Sequence, residues 1–237
     1  MVNHAIRTHP YGAALVQSRT LRPLALVLAL VCTGFLYVRP AAAQDPPPKI
    51  GPFVVDIHGT MPRFPTSKQQ LADSRDLLAQ ELPGAGLGLH GGAHVYPLRW
   101  KAVTFGIGAD LTTARAHRAA PQLTATTFGR ATTERFTHLA PEISFNFGNG
   151  NGWSYLSGGI GTATWSVVPD TLSPTAPDQE RLKTINYGGG ARWFIKHHIA
   201  FSFDVRFYAI DPSTPLPSHP SGPRTTLVIM GAGISVK

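Results

Sequence analysis

From residue 53 to the end of the chain, apolar residues recur at every second position in one segment after another. That is the spacing of strands with two unlike faces, and it predicts eight of them. Over 53–59, Phe53, Val55 and Ile57 lie opposite Val54, Asp56 and His58. Over 86–96, Leu87, Leu89, Ala93 and Val95 oppose His90, His94 and Tyr96. Over 102–112, Val103, Phe105, Ile107, Ala109 and Leu111 oppose Thr104, Gly106, Gly108 and Asp110. Over 136–147, Leu139, Ile143, Phe145 and Phe147 oppose His138, Glu142, Ser144 and Asn146. The segment 153–165 is rich in Gly, Ser and aromatic residues, and its register stays open. Over 185–194, Ile185, Tyr187, Ala191 and Trp193 oppose Asn186 and Arg192; over 199–208, Ile199, Phe201, Phe203, Val205 and Phe207 oppose Ser202, Asp204, Arg206 and Tyr208. The last segment, 225–236, sets Val228, Met230, Ala232, Ile234 and Val236 on one face.

The connections alternate in length. Short ones fall at 97–101, 148–152 and 196–198; long ones fall at 61–85, 113–135, 166–184 and 209–224. An even strand count with tight turns at one end and long loops at the other is the pattern of an eight-stranded antiparallel transmembrane β-barrel, with short periplasmic turns and long extracellular loops.

The segment ahead of the strands carries its own message. Arg7, Arg19 and Arg22 precede an uncharged apolar run over 24–38, and Ala41, Ala42 and Ala43 offer an A-x-A cleavage site. We therefore expect a signal peptide over 1–43, a stiff proline-rich leader over 44–51 and a barrel domain over 52–237. The run is shorter than the roughly 20 apolar residues a spanning helix needs. Cleavage also removes Cys32, the single cysteine, so no disulfide is expected. Of 21 basic residues, four lie in the signal peptide and none of the 13 acidic ones does, leaving 17 against 13 and a net charge of +4 rather than +8. That weak excess argues against nucleic acid as a partner, and the 43% hydrophobic content argues against disorder.

Alternation alone also fits a soluble lipocalin-like barrel that binds a small apolar ligand, with apolar residues inside. The polar faces favour the membrane reading. Their middles hold Gly, Ser, Thr and His with few charges and no lysine, as in a confined interior, whereas the apolar faces lack ionisable groups over a bilayer-spanning length. The interior charges have both signs: Asp56, Asp110, Glu142 and Asp204 against Arg192 and Arg206, with His58, His90, His94 and His138 nearby. Paired and hydrogen-bonded, these ten residues would form a lumen charge network that plugs the barrel. Trp100, Trp153, Trp165, Trp193, Tyr96 and Tyr155 fall near strand ends, where interfacial aromatic girdles belong.

The export signal, the segments GLGLHGGAHVYPL, FTHLAPEISFNFG and HHIAFSFDVRFY, and the strand count resemble the bacterial outer-membrane β-barrel family of small porin-like and OmpA-like barrels. The resemblance covers roughly 51–237. It implies residence in the outer membrane, contact with outer-membrane lipid and lipopolysaccharide, handling by the barrel-insertion machinery, and a structural, adhesive or weakly pore-forming role. Such barrels end in an aromatic residue; this chain ends Ile234, Ser235, Val236, Lys237.

Chemistry is sparse. His90 and His94 are about 13 Å apart along one strand, too far to share an ion unless a cross-strand partner such as His58 contributes. His138, Ser144 and Glu142 offer hydrolase residue types on one strand face, in keeping with a lipid A-modifying enzyme, but spaced too widely for a relay without neighbouring strands. Gly188, Gly189 and Gly190 fit close strand approach rather than a phosphate cradle. We expect no catalytic site, no metal and no cofactor. In the loops, Ser67 caps a short helix over 67–82 with Leu71, Leu77, Leu78 and Leu82 on one side, a lid for the barrel mouth or an amphipathic helix on its rim. Arg115, Arg118, Arg130 and Arg135, with His117 close by, would attract lipopolysaccharide phosphates.

Overall fold

A computed structural model describes residues 48–65 and 69–237. The signal peptide, most of the leader and the Ser67 cap fall outside these residues. Eight strands follow one another: β1 (Phe53–Arg63), β2 (Leu87–Trp100), β3 (Val103–Arg118), β4 (Thr132–Asn149), β5 (Gly152–Pro169), β6 (Leu182–Phe194), β7 (Ile199–Ile210) and β8 (Thr225–Val236). Each pairs antiparallel with the next, and β1 pairs with β8 to close the barrel. Closure leaves no strand edge unpaired, which the bilayer interior requires.

Period two assigns every strand one face to the lumen and one outward. Asp56, His58 and Thr60 of β1 are buried, whereas Val55, Ile57 and Met61 stand exposed on the outer wall. The same holds around the barrel: Leu89, Ile107, Leu139, Ile160 and Ile185 are all about half exposed or more. A soluble ligand-binding barrel has the opposite arrangement, so the lipocalin-like reading is overturned.

Several strands outrun the apolar alternation. β3 continues to Arg118, β4 begins at Thr132 and β5 runs to Pro169. The alternation continues there with inverted polarity: Ala114 and Ala116 point inward and are buried, while Thr113, Arg115 and His117 point outward. A strand leaving hydrocarbon for water keeps its pleat but exchanges which face is apolar. β2 likewise runs through Pro97 to Trp100, into the turn expected over 97–101, with a register shift between Val95 and Leu98 that accommodates a residue lacking an N–H. The actual turn is Lys101 and Ala102, with Lys101 at φ 54.

The register of β5 corrects the aromatic girdle. Trp153, Tyr155 and Trp165 occupy inward positions and are buried, and Tyr96 packs inside against Trp153. Of the six residues expected at the interface, Trp100 and Trp193 face outward. Phe53, Phe147 and Phe201 stand with them at the short-turn end. Nearness to a strand end is visible in the sequence, but inward or outward parity needs the register.

The interior is layered. At the short-turn end, Ile50, Val54 and Trp153 cluster with Tyr96 and Phe194. At the long-loop end, α1 (Gln69–Asp73) and a 3-10 turn (Ala79–Glu81) lower Leu71, Ala72, Leu77 and Leu82 onto Phe136, Trp165, Val167 and Leu227. The helix is shorter than 67–82 and Leu78 is exposed, yet the segment is a lid seated in the mouth. Arg75 ties it to α2 (Ala176–Gln179) through Asp178, Nε to Oδ1 at 3.1 Å. Polar residues fill the space between these two apolar layers.

Candidate functional site

The middle layer gathers all ten residues of the expected charge network, each buried. Their backbones sit on six strands, so the contacts span the lumen. Arg192 of β6 forks onto Asp56 of β1, Nε to Oδ1 at 2.9 Å and Nη2 to Oδ2 at 2.5 Å. Ser235 donates to the same carboxylate, and the Arg192 guanidinium lies 4.0 Å from the Tyr155 ring centroid. Arg206 of β7 donates through Nε to Asp204 Oδ2 at 2.8 Å and through Nη1 to Glu142 of β4.

Each imidazole faces a carboxylate. His58 Nδ1 is 3.5 Å from Asp204, His94 Nε2 is 3.3 Å from Glu142, and His138 and His90 lie 3.4 and 3.7 Å from the two oxygens of Asp110. Hydroxyl and amide groups complete the layer: Asn186 donates to Asp110 and Glu142, Ser202 meets His58 at 2.7 Å, and Thr112 joins His90 to the Tyr208 hydroxyl. Asn186, Ser202 and Tyr208 were visible as polar-face positions and Thr112 was not singled out, but their partners are up to 144 residues away and no spacing rule reaches them.

The hydrolase trio of β4 does not assemble. Ser144 Oγ receives the Asn146 side-chain N–H at 2.9 Å, and neither ring nitrogen of His138 has a hydrogen-bond partner among the described residues. These side chains are committed to the plug.

A second site lies on the outer wall where β3, β4 and β5 rise past the apolar belt. Arg115 and Arg135 are direct cross-strand partners, as are His117 and Thr133, and Ser166 lies beside Arg135 on β5. Both arginines are exposed, and the charge of Arg115 acts on the nearby Asp170 carboxylate. They line a groove with Val168, Pro169, Asp170 and Leu172. Asp170 is engaged by the Thr133 hydroxyl at 2.8 Å and by His117 at 2.9 Å, contacts that hold its carboxyl below the ordinary range. Arg118 ends β3 on the same rim. Arg130 is elsewhere, bound to Asp76 and Glu81 of the lid segment. Three of these four arginines are therefore strand residues, although the sequence placed them in a loop.

No protein-family model matches the sequence, and neither does the sequence of any curated protein. Among solved structures the chain is similar to Neisserial surface protein A, with 14% identity and a TM-score of 0.52 over 79% of this chain and 97% of that one. It is also similar to the outer membrane protein OprG from Pseudomonas aeruginosa, with 10% identity and a TM-score of 0.47 over 80% of this chain and 97% of that one. With its closed antiparallel sheet, outward apolar belt and filled polar lumen, the chain has the fold of the small eight-stranded outer-membrane β-barrels.

Proposed function

We propose that the chain is an integral outer-membrane protein whose closed barrel holds a phosphate-binding rim at the lipopolysaccharide headgroup level. The observation that carries the reading is the polarity of the wall: half-exposed aliphatic residues outside, and a buried layer of ion pairs inside. Hydrocarbon accepts the first and excludes the second unless it is enclosed. The short turns and the C-terminus then face the periplasm and the long loops face outward. The plug argues for a structural or loop-mediated role rather than conduction.

The rim follows from position. Arg115 and Arg135 stand four residues beyond Leu111 and Leu139, the upper belt residues of their strands, or about 13 Å along the wall. That is headgroup depth, and two adjacent exposed guanidiniums set against the one Asp170 carboxylate of their groove suit phosphate. The first experiment is the gel mobility of the protein from washed envelopes, boiled and unboiled. Mobility that shifts only on boiling supports the membrane barrel; a freely soluble protein overturns it. Arg115→Ala with Arg135→Ala should weaken binding of phosphorylated lipid A about tenfold or more, in line with about 1.5–3 kcal/mol for a charge-assisted hydrogen bond. Unchanged binding would remove the rim from the account.

A further inference from the structure

Within the lumen layer, four carboxylates (Asp56, Asp110, Glu142, Asp204) face two guanidiniums (Arg192, Arg206), a formal excess of two negative charges when the four imidazoles of the layer are neutral. A divalent cation supplies that balance. We propose that His58, His90 and Asp204 form a metal site for a borderline divalent cation of the zinc class, taken up as the barrel assembles. The reading rests on the lumen geometry and is independent of what the outer rim binds.

The three side chains are buried, and each offers a ligand atom within 4.8 Å of the other two. His58 and His90 are direct partners across β1 and β2, with ring centroids 5.5 Å apart; Asp204 reaches them from β7, across β8. Between them β8 presents Gly231 and Gly233, and a Cβ at Gly231 would lie 2.7 Å from Asp204 Oδ1 and 3.4 Å from His58 Cβ. Larger residues there would occupy the space an ion needs. Tetrahedral zinc with bonds of about 2.0–2.1 Å holds its donors about 3.3 Å apart. The remaining contraction is one that side-chain torsions can supply.

The surroundings are those of ligands rather than of idle polar groups. Metal-bound histidines engage their second ring nitrogen with an oxygen partner, which fixes tautomer and orientation. Here Ser202 Oγ holds His58 Nε2 at 2.7 Å and Thr112 Oγ1 holds His90 Nδ1 at 2.9 Å. His58 Nδ1 is left fully buried without a hydrogen-bond partner among the described residues, facing Asp204 Oδ1. Arg206 occupies the other oxygen of Asp204, so Oδ1 is the one free to coordinate. Two imidazoles and a carboxylate suit zinc, cobalt or nickel and disfavour calcium and magnesium, which want oxygen donors.

The test uses the full barrel, folded with zinc, stripped of loose metal by chelator in detergent, and assayed for zinc before and after heat unfolding. Wild type should retain about one equivalent and release it on unfolding; folding with cobalt should give the intense visible absorption of a tetrahedral site. His58→Ala, His90→Gln and Asp204→Asn should each lose most of the metal and the cobalt bands, while an unboiled, fast-migrating form shows that they fold. A paired His197→Ala, His198→Ala variant removes the exposed turn histidines and should keep the metal, as should His138→Ala. Wild type with neither retained zinc nor a cobalt spectrum overturns the site whatever the variants do, and so does full retention by His58→Ala.

Discussion

Arg192 and Asp56 show why the lumen residues act in pairs. The guanidinium is enclosed by its carboxylate and Tyr155, so truncating either partner strands a charge in the buried layer. Arg192→Ala should destabilise the barrel by about 3–5 kcal/mol, and joint replacement of Arg192 by Met and Asp56 by Leu should recover most of the loss. Urea unfolding in lipid vesicles measures both; a single variant as stable as wild type would mean the pair is hydrated. Gly108 belongs to the same scale. A Cβ there would run into the backbone carbonyl oxygen of Ala93 and lie 2.5 Å from His94 Cδ2, so Gly108→Ala should cost about 1–3 kcal/mol through overpacking. The same unfolding assay would show no cost only if the Ala93 backbone and the His94 ring both shift aside.

At the scale of elements, the lid is the part with separate behaviour. Leu71 and Leu82 anchor it, and Glu81 fastens it: its carboxylate receives the Leu78 N–H at 2.8 Å, the Arg130 N–H at 2.5 Å and the Arg130 side chain. Burial alone would raise the Glu81 carboxyl, but these donors outweigh it and hold it below the usual range. A carboxyl depressed in the folded state stabilises it above the unfolded value, near 4.3, and the contribution is lost as pH falls through the lower folded value. Amide exchange over 69–82 should therefore stay protected from pH 7 to about 4.5 and open below that, and Glu81→Gln should remove the acid dependence. Opening near neutral pH would show that another group controls the lid. The strand extensions carry a lesson in legibility. Ala114, Ala116, Phe136 and Val167 line the lid's seat on strands that continue after their outer faces turn polar. A reading keyed to outward apolar residues stops where the membrane stops, so β3, β4 and β5 were each read short.

For the whole molecule, the layers predict a barrel that does not conduct. Apolar clusters close both ends and ion pairs fill the middle, so purified protein in a planar bilayer should show no resolved conductance steps. Steady single-channel openings would require the plug to move. Strand number, strand order, the alternation of short and long connections and the identity of the ten inward residues were all legible along the chain. Each depends on local period and turn spacing, which the pleat imposes on any strand with one face in lipid. The parity of Trp153, Tyr155 and Trp165, the seating of the lid, the separation of Arg130 from Arg115 and Arg135, and the meeting of His58, His90 and Asp204 were decided by the tertiary structure. These depend on which residues barrel closure brings face to face across the lumen, and sequence spacing carries no record of distances between strands that are not neighbours.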